Sequence, residues 1–181
     1  MQATGGASLS DAQQSAPDTR RRRRIGWLYV TALVVVAADL ASKIAAVSLL
    51  EGAAPVEVLP SVLTLRLVRN PGAAFGVAGG LTVIFSVVAA VVIVAILRTT
   101  RRLRSAPWAV CLGLLLGGAV GNLVDRVFRM PGPLRGHVVD FLELPHWPVF
   151  NLADSAIVLG GVLAVALTAT GRALDGTRSG G

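Results

Sequence analysis

The stretch Ser105-Ala-Pro-Trp-Ala-Val-Cys-Leu-Gly-Leu-Leu-Leu-Gly-Gly-Ala-Val-Gly-Asn-Leu-Val-Asp-Arg126 runs twenty residues without a charge, then sets an acid beside a base. As a helix it would rise about 30 Å, the thickness of a bilayer's hydrocarbon core. Gly113, Gly117 and Gly121 recur every four residues, with Gly118 beside them. That spacing makes a smooth ridge on which another helix can pack closely. Asn122, Asp125 and Arg126 fall at i, i+3 and i+4, so they share a face at the end of this span.

Three further runs have the same character. Ile25–Ala38 is fourteen uncharged residues, and the segment continues to Leu50 broken only by Asp39 and Lys43. Asn70–Leu97 is uncharged, with 77–97 expected as helix. Ser155–Gly171 adds seventeen uncharged residues. In lipid every backbone amide must be paired within its own segment, so four membrane-spanning helices are expected. Residues 1–24 form an Arg-rich tail expected to be disordered, 25–171 the four-span unit, and 172–181 a second disordered tail.

Composition agrees once the residues are located. The chain has 181 residues, 54% hydrophobic and 15% charged, with a formal charge of +7. Such a charge would suit a nucleic-acid binder, but the four apolar runs do not, so no nucleic-acid partner is expected. The single Cys111 excludes a disulfide-stapled domain and a cysteine-rich zinc module, and is read as packing. His137 and His146 are nine apart with Pro145 and Pro148 nearby, and read as loop residues rather than zinc ligands. Arginines followed by an apolar run also fit a cleaved secretory signal. Three later spans and the polar residues inside the first favour a span of the mature protein.

The arginines give an orientation. Arg20–Arg24, Arg98, Arg101, Arg102, Arg104, Arg172 and Arg178 make eleven on one side, against five (Arg66, Arg69, Arg126, Arg129, Arg135) on the other. The positive-inside rule then puts both termini in the cytoplasm, with 51–76 and 125–154 outside. Seven of the ten acids lie in those outer segments or within a span. Val62–Arg69 alternates Leu63, Leu65 and Leu67 with Thr64 and Arg66, a half-buried strand pattern. Asn70–Gly76 reads as a turn, His137–Phe141 as another strand, and Leu144–Phe150 as an interfacial segment.

Several groups could carry chemistry. Asp39 and Lys43 share a helix face four residues apart; an ion pair that holds the bundle is as good a reading as function. Asp125 and Arg126 could simply bridge at a helix end. Asn151 with Asp154 three residues on reads as a helix cap. Asp140 and Asp154, brought together in a desolvated place, could share one proton and act as base and acid. Ser42 and Lys43 point about 100° apart and make a poor dyad. No Gly-x-Ser-x-Gly elbow occurs. An ion transporter using Asp39, Lys43 and Asp154 as a relay, or an assembly protein using the glycine ridge, are the other readings.

Asp39-Leu-Ala-Ser-Lys43, Asn70-Pro-Gly-Ala-Ala-Phe-Gly76, Gly121-Asn-Leu-Val-Asp-Arg126, Val138-Val-Asp-Phe141 and Phe150-Asn-Leu-Ala-Asp-Ser155 follow one another in an order that resembles the lipoprotein signal peptidase (signal peptidase II) family. The resemblance covers about residues 25–171. It implies an all-α membrane fold: a four-transmembrane-helix bundle with a small outer β-sheet and an interfacial outer helix. It implies an aspartic endopeptidase of the bacterial cell membrane that removes the signal peptide before a diacylglyceryl-modified cysteine. Asp140 and Asp154 match its catalytic aspartates. Asp39, Lys43, Asn70, Gly72, Asn122, Asp125, Arg126 and Asn151 match positions that support the site. The choice of Asp140 over Asp125 rests on this resemblance. The resemblance further implies no metal, no cofactor and inhibition by globomycin. The partners expected are prolipoproteins and membrane lipid, with the chain acting as a monomer. Arg129–Arg135 is longer than in many members and the Asp140-to-Asp154 segment shorter.

Overall fold

The computed structural model describes residues 16–72 and 80–178, and the side chains of 24–72 and 82–178. Four long helices dominate: α1 (Ala16–Leu50), α2 (Gly80–Thr99), α3 (Ala106–Phe128) and α4 (Leu152–Ala169). Each contains a stretch long and apolar enough to cross a membrane: Arg24–Leu50, Thr82–Arg102, Ala106–Phe128 and Leu152–Ala169. Strands β1 (Val56–Leu59), β2 (Leu63–Asn70) and β3 (Val138–Glu143) form an antiparallel sheet in the order β1-β2-β3. The strands come from the α1–α2 and α3–α4 connections, so the sheet sits at one end of the bundle.

Helix α3 is the centre, packing on α1, α2 and α4. Its glycines explain how. A methyl on Gly113 would lie 2.7 Å from Thr31 Cβ, and one on Gly117 would lie 2.6 Å from Val35 Cβ, both on α1. One on Gly118 would lie 2.5 Å from the Ala153 carbonyl oxygen of α4. The ridge therefore has two faces, and each admits a neighbour's backbone. Gly161 on α4 meets nothing within 4 Å. Gly117→Ala is expected to cost about 1–3 kcal/mol by overpacking, whereas Gly161→Ala is expected to be neutral or slightly stabilising. Thermal unfolding of the two variants in detergent checks this, and equal midpoints would count against the ridge.

The sheet docks on the C-terminal end of α1. Alternation along β3 turns Val139 and Phe141 toward Ala46 and Leu50, with Leu65 and Leu67 of β2 against the same cluster. Asp140 is therefore turned to the opposite face. Strand β1 is exposed along its whole length.

Two expectations are corrected. The first helix begins at Ala16, so 16–24, expected in a disordered tail, is helical; residues 1–15 lie outside the described ones. Its five arginines, Arg20–Arg24, are good helix formers that carry the helix back from the apolar run. The second tail is also ordered as far as Arg178. Arg172 pairs with Arg178, and the Arg104 and Ser105 amides donate to the Leu174 carbonyl at 2.9 and 3.1 Å. Leu174 packs against the α1–α3 core, and that apolar contact holds the turn down. The interfacial outer helix has no counterpart among the described residues; 129–137 is turns and extended chain. In the Asn70–Gly76 turn, residues after Gly72 lie outside the described ones.

Candidate active site

Lys43 has 0% exposure, so its ammonium must be fully paired. Its Nζ lies 2.8 Å from Asp39 Oδ2 and 3.0 Å from Asp125 Oδ2, and donates to Asn122 Oδ1 at 3.1 Å. Two carboxylates and one amide oxygen thus surround the ammonium. Asp39 Oδ1 accepts from the Ala153 amide at 2.9 Å, one of the free N–H groups opening α4. One ammonium and one carboxylate therefore tie α1, α3 and α4 together. Ser42 turns away and donates to the Asp39 carbonyl at 2.9 Å.

Asp125 does not bridge to Arg126, as the sequence suggested. Its Oδ1 accepts from Arg129 Nε at 2.5 Å, and its Oδ2 accepts from the Val139 amide at 3.1 Å. Adjacent helical residues point apart, while i and i+4 stack, so Arg129 is the geometric partner. Arg126 instead lies over the Phe85 ring, 5.6 Å from its centroid, and its buried Nη1 has no hydrogen-bond partner among the described residues. Arg129 and Phe85 were missed from sequence; the i,i+4 spacing to Asp125 was the signal for the first.

The two proposed catalysts meet through asparagines. The β2–β3 register sets Asn70 opposite Val138, so Asp140 is its diagonal neighbour on the same face. Asn70 Nδ2 donates to Asp140 Oδ2 at 2.9 Å, and Asn70 Oδ1 accepts from the Gly72 amide at 2.8 Å. Gly72 has φ +90°, and a methyl there would lie 2.8 Å from Phe85 Cδ2, so glycine is required. Asn151 Nδ2 donates to Asp140 Oδ1 at 2.6 Å. Asn151 also caps α4: its side chain accepts from the Asp154 amide at 2.9 Å, and Asp154 Oδ2 accepts from the Asn151 amide at 3.2 Å. Asn122 Nδ2 donates to Asp154 Oδ1 at 2.7 Å. The cap read from sequence is thus present and at the same time holds Asp154 in the network.

Asp140 is only 2% exposed. Burial pushes its carboxyl up to about 6, with the Asp154 charge adding to the rise and the Asn70 and Asn151 hydrogen bonds opposing it. Within this cluster stand four acids (Asp39, Asp125, Asp140, Asp154) and three bases (Lys43, Arg126, Arg129). The acids thus outnumber the bases by one.

Gly121 leaves room for the Asp39 carboxylate, since a methyl there would lie 2.6 Å from its Oδ2. Beside the polar cluster opens an apolar cavity of about 280 Å³ between α2, α3 and α4, lined by Phe85, Val88, Val92, Ala119 and Ile157 and bounded by Asn122 and Arg126. Ser86 fixes α2 to the α3–β3 connection, donating to the Leu134 carbonyl at 2.8 Å. His137 and His146 join no metal-holding group; among the described residues no cluster of three or more His, Cys, Asp or Glu could hold an ion. Cys111 is buried, with Sγ 3.2 Å from the Gly160 carbonyl oxygen.

Residues 31–170 match the family model described as signal peptidase (SPase) II. The lipoprotein signal peptidase of Rhodococcus jostii is 53% identical over 164 residues, covering 91% of this chain and 82% of that protein. That of Streptomyces coelicolor is 52% identical over 163 residues, covering 90% and 80%. A bacterial membrane enzyme solved by the in meso method at 1.9 Å superposes with a TM-score of 0.70 at 29% identity, covering 79% of this chain and 92% of the other. With sequence, helices and polar cluster in agreement, the chain belongs to the signal peptidase II family.

Proposed function

We propose that this chain removes the signal peptide from prolipoproteins at the bacterial membrane, cutting before a diacylglyceryl-modified cysteine, with Asp140 and Asp154 activating water. The reading rests on one observation above all: both aspartates hydrogen-bond Asn151, in a buried network at one end of four apolar helices. The names of the relatives, lipoprotein signal peptidases, support the substrate class.

One aspartate takes a proton from water as the water oxygen bonds the scissile carbonyl carbon. The other, protonated, donates to the carbonyl oxygen. When the carbon–nitrogen bond breaks, the leaving nitrogen takes a proton from the pair. The pair titrates as a unit, so acid and base belong to it jointly. Arg126, whose Nη1 has no hydrogen-bond partner among the described residues, takes a backbone carbonyl of the substrate. The apolar cavity beside it receives apolar residues of the signal peptide. The arginine count puts the helix ends away from the sheet in the cytoplasm and the dyad near the outer face. Globomycin is expected to block the reaction.

Two tests bear on this. Cleavage of a diacylglyceryl-modified precursor by the purified chain supports the reading; a folded protein that leaves it intact refutes it. The second is the pH profile. The one-proton pair loses its proton as pH rises through about 6, so kcat/KM declines above that point. Asn70 bonds the charged carboxylate and holds this value down, so Asn70→Ala should move the limb to higher pH. A limb that stays still in that variant argues against Asp140 as its source.

A further inference from the structure

At the end of the bundle away from the sheet lies a polar pocket that the reaction does not use. It is a cavity of about 250 Å³ lined by Ser105, Pro107, Arg172, Thr177 and Arg178. Ser105 occupies the N-cap position of α3 but makes no capping hydrogen bond. It is only 9% exposed and borders the pocket. A serine at this position can turn its hydroxyl to a group held in the pocket. The opening turn of this 23-residue helix carries unpaired amides and the positive end of the helix dipole.

Arg172 and Arg178, both exposed, line the same pocket and pair across the small C-terminal turn. The turn's one acid, Asp175, is engaged elsewhere: its Oδ1 accepts from the Thr177 amide at 2.9 Å and from the Thr177 hydroxyl at 2.6 Å. Trp108 Nε1 donates to the Arg172 carbonyl at 2.8 Å, fixing the turn to α3. A tryptophan in the first turn of a spanning helix marks the headgroup level of a bilayer. The pocket combines a serine hydroxyl, helix amides and two arginines, the donor set that a phosphate group takes.

We propose that this pocket binds a phosphate group, supplied by the headgroup of an anionic phospholipid in the leaflet opposite the dyad. The inference depends on the four helices spanning the membrane and not on the peptidase reading. Inorganic phosphate offers the same chemistry, and the test separates the two sources.

The experiment follows thermal unfolding of the full chain in a neutral maltoside detergent. The probes are dioctanoyl phosphatidylglycerol, inorganic phosphate, and dioctanoylglycerol, which has the same tails and no phosphate. The lipid should raise the midpoint saturably by about 5 °C. Dioctanoylglycerol should not. The double variant Arg172→Gln/Arg178→Gln should need at least about tenfold more lipid for half the effect, and Ser105→Ala should weaken binding less. Arg101→Gln/Arg102→Gln, which removes exposed charge nearby, should bind as the parent does. Each shift is read against the variant's own unliganded midpoint, which also reports that it folds. A response to inorganic phosphate as large as to the lipid keeps the site and assigns free phosphate as its occupant. No saturable shift with either phosphate probe, or an unchanged response in Arg172→Gln/Arg178→Gln, overturns the proposal. Loss of cleavage with normal lipid binding bears on the dyad alone.

Discussion

Replacing Asp140 or Asp154 with asparagine lowers kcat for cleavage of a lipidated precursor by at least about a thousandfold, while the protein still inserts and folds. The size follows from chemistry. An amide can neither take the proton of water nor hold one for the leaving nitrogen. The fold survives because asparagine keeps the shape. Asp154→Asn retains one oxygen for Asn122 or for the Asn151 amide, so the start of α4 stays capped. Asp140→Asn removes a carboxylate whose charged form is already disfavoured by burial, which offsets the loss of a bond to Asn70 or Asn151. Asp125→Asn should behave differently. It weakens the contacts to Lys43 and Arg129, so it lowers stability and lowers activity partly. If Asp125→Asn alone abolishes turnover in a well-folded protein, the pair has been misassigned.

Lys43→Met is expected to be among the most destabilising single changes in the chain. It leaves Asp39 and Asp125 buried without their shared cation, and it strips a donor from Asn122. Breaking one side of a buried ion pair costs about 3–5 kcal/mol. In a chain of this size that is a fall of about 6–20 °C in the unfolding midpoint. The exposed pair Arg66–Glu143, at 2.9 Å, provides the comparison, since its side chains are 47% and 32% exposed. Arg66→Gln should cost no more than about 1 kcal/mol. Unfolding of both variants in the same detergent separates the cases. Midpoints lowered equally and slightly would mean that Lys43 is not what joins α1 to α3 and α4.

The helices were legible because lipid allows few alternatives: an uncharged run of bilayer length must pair its own amides. Strand β2 was legible from the alternation of Leu63, Leu65 and Leu67. Strand β1 was not, since Val56–Leu59 is short and exposed throughout, and a strand without a buried face shows no pattern. The cap at Asn151 could be read because its bonds are local. The meeting of Asn70 with Asp140 could not, because it depends on the β2–β3 register across seventy residues. Arg126 was given the wrong partner by adjacency in sequence. The turn at Arg172–Arg178 was taken for a free tail because its one useful apolar residue, Leu174, finds its contacts on distant helices. Local rules reached the elements and one half of the site; the other half is made by contacts between elements.

The claim at the centre is that Asp140 and Asp154 act as one unit on water. It is tested most directly by single-turnover cleavage of a diacylglyceryl-modified precursor by the parent chain, Asp140→Asn, Asp154→Asn and the double variant. Groups that work as a unit are not additive, so each single variant should lose about as much rate as the double. Losses that multiply in the double variant, or a single variant that keeps more than about a tenth of the parent rate, would show that the two aspartates do not form the catalytic pair.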